Sequence, residues 1–140
     1  MNDYASRYEE RVAKFLKEQN VKFTYETFSY EYDEPLRKNR ARCGDCDSQN
    51  LVRTGWYTPD FFLASGYIIE TKGRFTAADR RKMLAVKRFH PDLNIVMLFM
   101  RDNKIHRNST TKYSDWCKQQ GFDYAIGLPK KEWFNEKAKK

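Results

Sequence analysis

Apolar residues recur at helical spacing over the first twenty positions of the chain, then mostly at strand spacing or in short runs. From Tyr4 to Gln19, Tyr8, Val12, Phe15 and Leu16 fall on one arc at about 100° per residue, which predicts an amphipathic helix. Ser6, three residues before Glu9, fits a capping box at its start. Glu9 lies at the edge of the apolar arc beside Leu16, whereas Glu10 projects from the opposite side. An acid that reaches an interior site from this helix is therefore Glu9; the alternative is that both are solvated charges. Val21 to Tyr32 sets Val21, Phe23 and Tyr25 against Lys22, Thr24 and Glu26, the alternation of one long strand. Glu34 to Thr54 is polar, basic and poor in large apolar residues, and reads as a loop or small excursion.

Trp56 to Leu63 and Tyr67 to Lys72 are two apolar strands joined by Ala64-Ser65-Gly66, a connection of hairpin length. Thr76 to Phe89 is a helix, with Thr76 and Asp79 at its start and His90-Pro91 at its end. Asn94 to Met100 is the most apolar run and predicts a central strand. A turn at Arg101-Asp102-Asn103 leads into a shorter strand at Lys104 to Arg107. Ser114 to Gln120 is a short helix closed by Gly121, Ala125 to Leu128 a last strand, and Pro129 opens a C-terminal helix carrying Trp133 and Phe134. Lys137 to Lys140 is expected to fray. This order describes an α/β fold, a mixed β-sheet flanked by helices.

Chemistry concentrates on the two central strands. Side chains alternate faces along a strand, so Ile68, Glu70 and Lys72 point one way and Tyr67, Ile69 and Thr71 the other. A hairpin lays Asp60 near Glu70, and two acids and a lysine then share one site. Carboxylates suit the hard ions Mg2+ and Mn2+, which keep open positions for water and phosphate oxygens. A lysine beside them can orient the attacking water or stabilise the transition state of phosphodiester hydrolysis. The bland reading of the same residues is a Pro-Asp turn and a surface Glu-Lys pair.

Composition bounds the reading further. The 140 residues make one domain, and a formal charge of +8 with 33% charged and 16% aromatic residues describes a folded core under a basic surface. No apolar run approaches a membrane span and no signal peptide is present, so the expectation is a soluble intracellular protein with no membrane partner. The expected partner is a polyanion, nucleic acid above all. On the Thr76 to Phe89 helix, Arg80, Arg81, Lys87 and Arg88 form a basic arc opposite Met83, Ala85, Val86 and Phe89. Such an arc is either a solvated face or a phosphate track.

With these pieces placed, the chain resembles the PD-(D/E)xK nuclease superfamily and, more narrowly, the endonuclease I Holliday-junction resolvases of T-seven-type phages. The resemblance rests on Tyr57-Thr58-Pro59-Asp60-Phe61 and Glu70-Thr71-Lys72-Gly73, and continues through Asp79-Arg80-Arg81-Lys82, His90-Pro91-Asp92-Leu93, Lys112-Tyr113 and Glu132-Trp133. Tyr8-Glu9-Glu10-Arg11-Val12 matches the family helix that bears a catalytic acid. It implies a restriction-endonuclease-like core and a homodimer in which the N-terminal helix and first strand are exchanged between subunits. By the same resemblance, Asp60 bridges two divalent ions, with Glu70 and the Thr71 carbonyl on one and the partner chain's Glu9 on the other, while Lys72 serves the nucleophilic water. The implied activity is divalent-metal-dependent resolution of four-way and other branched DNA, in the cytoplasm of a phage-infected bacterial host. A duplex repair or restriction-type nuclease would use the same chemistry; a non-catalytic basic binding module would leave Asp60, Glu70 and Lys72 unexplained.

One segment departs from the family pattern: residues 35–55 form an insertion in the single nuclease domain and contain Cys43-Gly44-Asp45-Cys46. A lone Cys-x-x-Cys is half of a structural zinc site. Two Cys43/Cys46 pairs meeting near a dimer axis would complete a four-thiolate Zn2+ site, the alternative being reduced, unligated thiols. Cys117, in a helix, reads as buried packing.

Overall fold

The computed structural model describes residues 4–35 and 52–135. Helix α1 spans Arg7–Glu18 and buries Tyr8, Glu9, Val12, Ala13 and Leu16, the positions of one helical face. Ser6 caps it, its Oγ accepting from the Glu9 amide at 3.1 Å. Five strands form the main sheet in the order β1-β4-β5-β6-β7: β1 (Phe23–Tyr25), β4 (Phe61–Leu63), β5 (Tyr67–Lys72), β6 (Asn94–Phe99) and β7 (Asp123–Ile126). The pairs β1–β4 and β4–β5 are antiparallel, whereas β5–β6 and β6–β7 are parallel, so the sheet is mixed. Helices α2 (Ala77–Phe89) and α3 (Tyr113–Gln120) supply the connections between the parallel strands.

The central strands are buried on both faces. Ile68, Met97 and Phe99 pack with Met83, Val86, Trp116 and Cys117 of α2 and α3. Ile69, Val96 and Leu98 pack with Val12, Ala13 and Leu16 of α1 and with Trp133. This two-sided burial explains why Ile95 to Phe99 is an unbroken apolar run. The expected helix near the C-terminus is a single 3-10 turn, Lys131–Phe134, whose Trp133 indole N–H donates to Asp123 at 2.7 Å.

Two expected strands divide between sheets. The alternation from Val21 to Tyr32 breaks at Glu26, whose backbone enters the left-handed region at φ +47°, and the chain resumes as β2 (Tyr30–Pro35) in a second sheet. Trp56 to Leu63 breaks at Thr58-Pro59-Asp60: β3 (Val52–Tyr57) pairs antiparallel with β2, and β4 then joins the main sheet. The polar stretch expected to be loop is therefore strand at both of its ends. It is held by polar cross-strand partners, with Arg53 on Glu34 at 3.0 Å and Thr54 on Asp33 at 2.9 Å. The strand expected at Lys104 to Arg107 reduces to one bridge, Lys104 with Lys112. Cys43, Cys46 and the terminal lysines lie outside the described residues. Cys117 is buried, and burial pushes its thiol up to about 12.

Candidate active site

Asp60 is placed by the switch of the chain from β3 to β4. One of its oxygens, Oδ2, accepts from both the Thr71 amide at 2.9 Å and the Thr71 hydroxyl at 2.7 Å. Because Thr71 points to the α1 side of β5, Asp60 is drawn toward α1. There Glu9 receives a hydrogen bond from the Tyr25 phenol at 2.6 Å on Oε1 and one from the Ser6 hydroxyl at 3.0 Å on Oε2. Tyr25 pairs with Phe61 in the β1–β4 register, so the next residue, Glu26, lies across from Asp60 and its amide donates to the Asp60 carbonyl at 3.0 Å. Glu9, Glu26 and Asp60 each offer a carboxylate oxygen within 4.8 Å of the others. Glu9 is buried and Glu26 exposed, so the group opens to solvent on one side.

Glu70 and Lys72 occupy the other face of β5. The Tyr57 phenol donates to Glu70 Oε1 at 3.0 Å, and Lys72 Nζ lies 3.3 Å from Glu70 Oε2. Lys72 also lies 3.5 Å from Asp79 Oδ1. Asp79 has a second task, since its other oxygen accepts from the Thr76 amide and completes the capping box of α2. The start of α2 is thus tied to the lysine of the site.

Burial pushes Asp60 up to about 6, with the Glu9 charge adding to the rise and the Thr71 hydrogen bonds and Lys72 opposing it. Glu70 is pushed up to about 8 by burial and by the Asp60 charge, against Lys72 and the Tyr57 hydrogen bond. For Lys72, burial acts downward, but Glu70 and Asp79 outweigh it and raise the group, which stays charged. For Asp79, burial acts upward, but the Thr76 hydrogen bonds and Lys72 outweigh it and lower the group.

Carboxylates this close repel one another. At 4.8 Å a pair of unit charges costs roughly 1 kcal/mol in water-like surroundings and roughly 3.5 kcal/mol in a near-surface protein environment. A divalent cation removes that cost, and a donor set made entirely of oxygen fits Mg2+ or Mn2+. Four acids and one lysine make a locally negative site on a chain whose net charge is +8.

Of the four site residues expected from sequence, the single chain brings its own Glu9 beside Asp60 and sets Glu70 against Lys72 on the other face of β5, where the Asp60 charge still acts on Glu70. The amide and hydroxyl of Thr71, whose carbonyl was expected to serve as a ligand, hold Asp60. Glu26 went unrecognised because its place beside Asp60 follows from strand register, which local hydropathy does not encode. Of the basic arc, Arg80 donates to the carbonyls of Phe75 at 2.8 Å and Ile105 at 3.5 Å. Lys87 donates to those of Gln120 and Gly121 at the end of α3, at 2.8 and 2.7 Å. Arg81 and Arg88 are exposed.

Among the described residues, no helix is long and apolar enough to cross a membrane. The sequence model of the phage endonuclease I family matches residues 48–140, a span that includes Asp60, Glu70 and Lys72. The chain is 31% identical over 137 residues to endonuclease I of Escherichia phage T7, with 97% of this chain and 81% of that protein aligned. It is 34% identical over 138 residues to endodeoxyribonuclease 1 of Enterobacteria phage T3, covering 92% of this chain and 80% of that protein. A carboxylate-rich, lysine-bearing site on this sheet and a family match over most of its elements lead to one conclusion: the chain belongs to the phage endonuclease I family and is an endonuclease.

Proposed function

We propose that the protein is a divalent-metal-dependent endonuclease of the PD-(D/E)xK type that resolves four-way junctions and other branched DNA. The observation that carries the reading is the position of Asp60, clamped by Thr71 at the end of the strand whose opposite face bears Glu70 and Lys72. Asp60 with Glu70 and the Thr71 carbonyl would hold one ion, and Asp60 with Glu9 and Glu26 a second. When bound, the ions supply an activated water and neutralise charge on the phosphate. Lys72, kept charged and aimed by Glu70 and Asp79, orients that water or offsets the growing negative charge.

The active form is a homodimer that exchanges α1 and β1, so that each site takes Glu9 from the partner subunit. The exchangeable unit ends at the left-handed Glu26, and its contacts with the sheet are discrete. They include the β1–β4 ladder, the Tyr8 hydroxyl on the Gly127 carbonyl at 2.9 Å and the apolar packing of Val12, Ala13 and Leu16 on the sheet, while the Tyr25–Glu9 bond lies within the unit and travels with it. Two sites related by a twofold axis suit paired cuts across a branch, with selection by phosphate geometry rather than base sequence.

The deciding experiment is a nicking assay on a four-way junction with and without Mg2+, comparing the chain with Glu70→Gln and using linear duplex as competitor. Mg2+-dependent cleavage that is lost in Glu70→Gln and poorly inhibited by duplex supports the proposal. Equal cleavage of duplex and junction would remove the junction-resolving part of it, and metal-independent cleavage would remove the mechanism.

A further inference from the structure

We propose that Tyr57 is a positioning residue for Glu70, by which the β2–β3 sheet sets the aim of that carboxylate; the inference rests on the reading of Glu70 as a cation ligand. Tyr57 is the last residue of β3, and its ring is 1% exposed, in the core that also holds Ile68, Phe75 and Met83. Its hydroxyl reaches 3.0 Å from Glu70 Oε1, while Lys72 approaches Oε2 at 3.3 Å. Each oxygen of the carboxylate thus has its own donor.

The two donors differ in kind. Lys72 sits on the same strand as Glu70, and its ammonium ends a flexible stem shared with Asp79. The Tyr57 phenol is a rigid arm from a different sheet, locked at both ends: its ring by the core and its backbone by pairing with Tyr30 of β2. The terminal torsion of a glutamate is soft, so a fixed donor on one oxygen decides the plane in which the other lone pairs are presented. A tyrosine that merely filled the core would satisfy its hydroxyl and have no influence on ion affinity.

Tyr57→Phe deletes the hydroxyl and keeps the ring. The test is titration of the full chain, without DNA, with Mn2+ alone, followed by the electron paramagnetic resonance signal of the free ion. The expected result is about a ten- to hundredfold weaker Mn2+ affinity in Tyr57→Phe. In a Glu70→Gln background the same change should cause no further loss, since the effect runs through Glu70. Turnover on a junction should fall while DNA affinity in chelator is unchanged. Should Tyr57→Phe fail to fold, Tyr57→Phe/Glu70→Gln decides the matter: folding like Glu70→Gln alone shows that the hydroxyl matters through the carboxylate, and unfolding overturns the proposal. Wild-type Mn2+ affinity in Tyr57→Phe, or an equal loss with and without Glu70, also overturns it. Absence of Mn2+ binding by the wild type would instead remove the cation reading and this inference together.

Discussion

Thr71 holds Asp60 twice, through its amide and through its hydroxyl, and both bonds fall on the same carboxylate oxygen. That leaves the other oxygen, Oδ1, outside the clamp, in a carboxylate that has an oxygen within 4.8 Å of those of Glu9 and Glu26. Thr71→Val removes the hydroxyl and preserves the strand residue's shape. A hydrogen bond to a charged group contributes roughly 1.5–3 kcal/mol, of which the remaining amide bond recovers part. Unfolding in denaturant should show a loss of about 1 kcal/mol, and single-turnover cleavage should slow about tenfold with little change in DNA affinity.

The metal-free protein should lose stability as pH rises from about 5 to about 8.5. Asp60 and Glu70 titrate near 6 and 8 in the folded chain, above their ordinary values of 3.8 and 4.5, so the folded state binds more protons than the unfolded state throughout this window. Their contribution is fully present below the unfolded values and is lost as pH passes the folded ones. Asp79, lowered by its partners, acts only in the more acid range. Thermal melts in chelator should fall across this range in the wild type and much less in Glu70→Gln, which should be the more stable of the two at pH 8.5 by a few kcal/mol. Mg2+ should reverse the trend, because ion binding competes with those protons.

Glu26 combines a charge beside Asp60 with a backbone at φ +47°. The two properties separate by substitution. Glu26→Gln removes the charge and keeps the strained backbone, whereas Glu26→Gly removes both, so the glycine variant should be the more stable by about 1 kcal/mol in chelator. If the carboxylate helps hold an ion, both variants should bind Mn2+ several-fold more weakly than the wild type, and by similar factors. Calorimetric titration with Mn2+ checks this, and unchanged affinity in both would take Glu26 out of the site.

How much of this was legible in the sequence depends on how local each cause is. β5 and α2 could be read almost to the residue, because alternation about a two-sided core marks the strand and the Thr76/Asp79 box marks the helix start. Glu9 could be chosen from the helix face alone. The division of two apparent strands between sheets could not, since it depends on Glu26 adopting a positive φ and on the chain crossing at Pro59. The β2–β3 pair was hidden by its own chemistry: Asp33, Glu34, Arg53 and Thr54 are polar on hydropathy, yet they match across the ladder. Glu26 and the Tyr57–Glu70 bond belong to the same class, being products of register.

The basic arc of α2 should split into two pairs under mutation. Arg80→Ala and Lys87→Ala lose hydrogen bonds to backbone carbonyls, and Lys87 also leaves the Phe122 ring, 4.4 Å from its Nζ. Each should cost about 1–2 kcal/mol of stability. Arg81→Ala and Arg88→Ala should leave the melting temperature alone. If their side chains meet phosphates, each should reduce the salt dependence of junction binding by about one unit of slope. Binding isotherms over a salt series and parallel melts separate the two pairs, and a flat response from Arg81 and Arg88 would assign DNA contact to another surface.

Exchange of α1 and β1 between subunits has a test that needs no structure of the dimer. In the exchanged arrangement each site joins Asp60 of one chain to Glu9 of the partner subunit. A heterodimer of Glu9→Ala and Asp60→Asn chains then has one site carrying both lesions and one carrying neither. Without exchange, each site carries one lesion and both are dead. The chains must be folded together, because the β1–β4 ladder and the Tyr8–Gly127 bond have to form between the right partners. On a supercoiled plasmid that extrudes a cruciform, an exchanged heterodimer should nick one strand and give open circles with no linear product. Each parent homodimer should give neither. A mixture as inactive as its parents, under conditions where wild-type chains recover cutting after the same treatment, would mean that each site uses its own Glu9, as the packing of α1 on the sheet of a single chain allows.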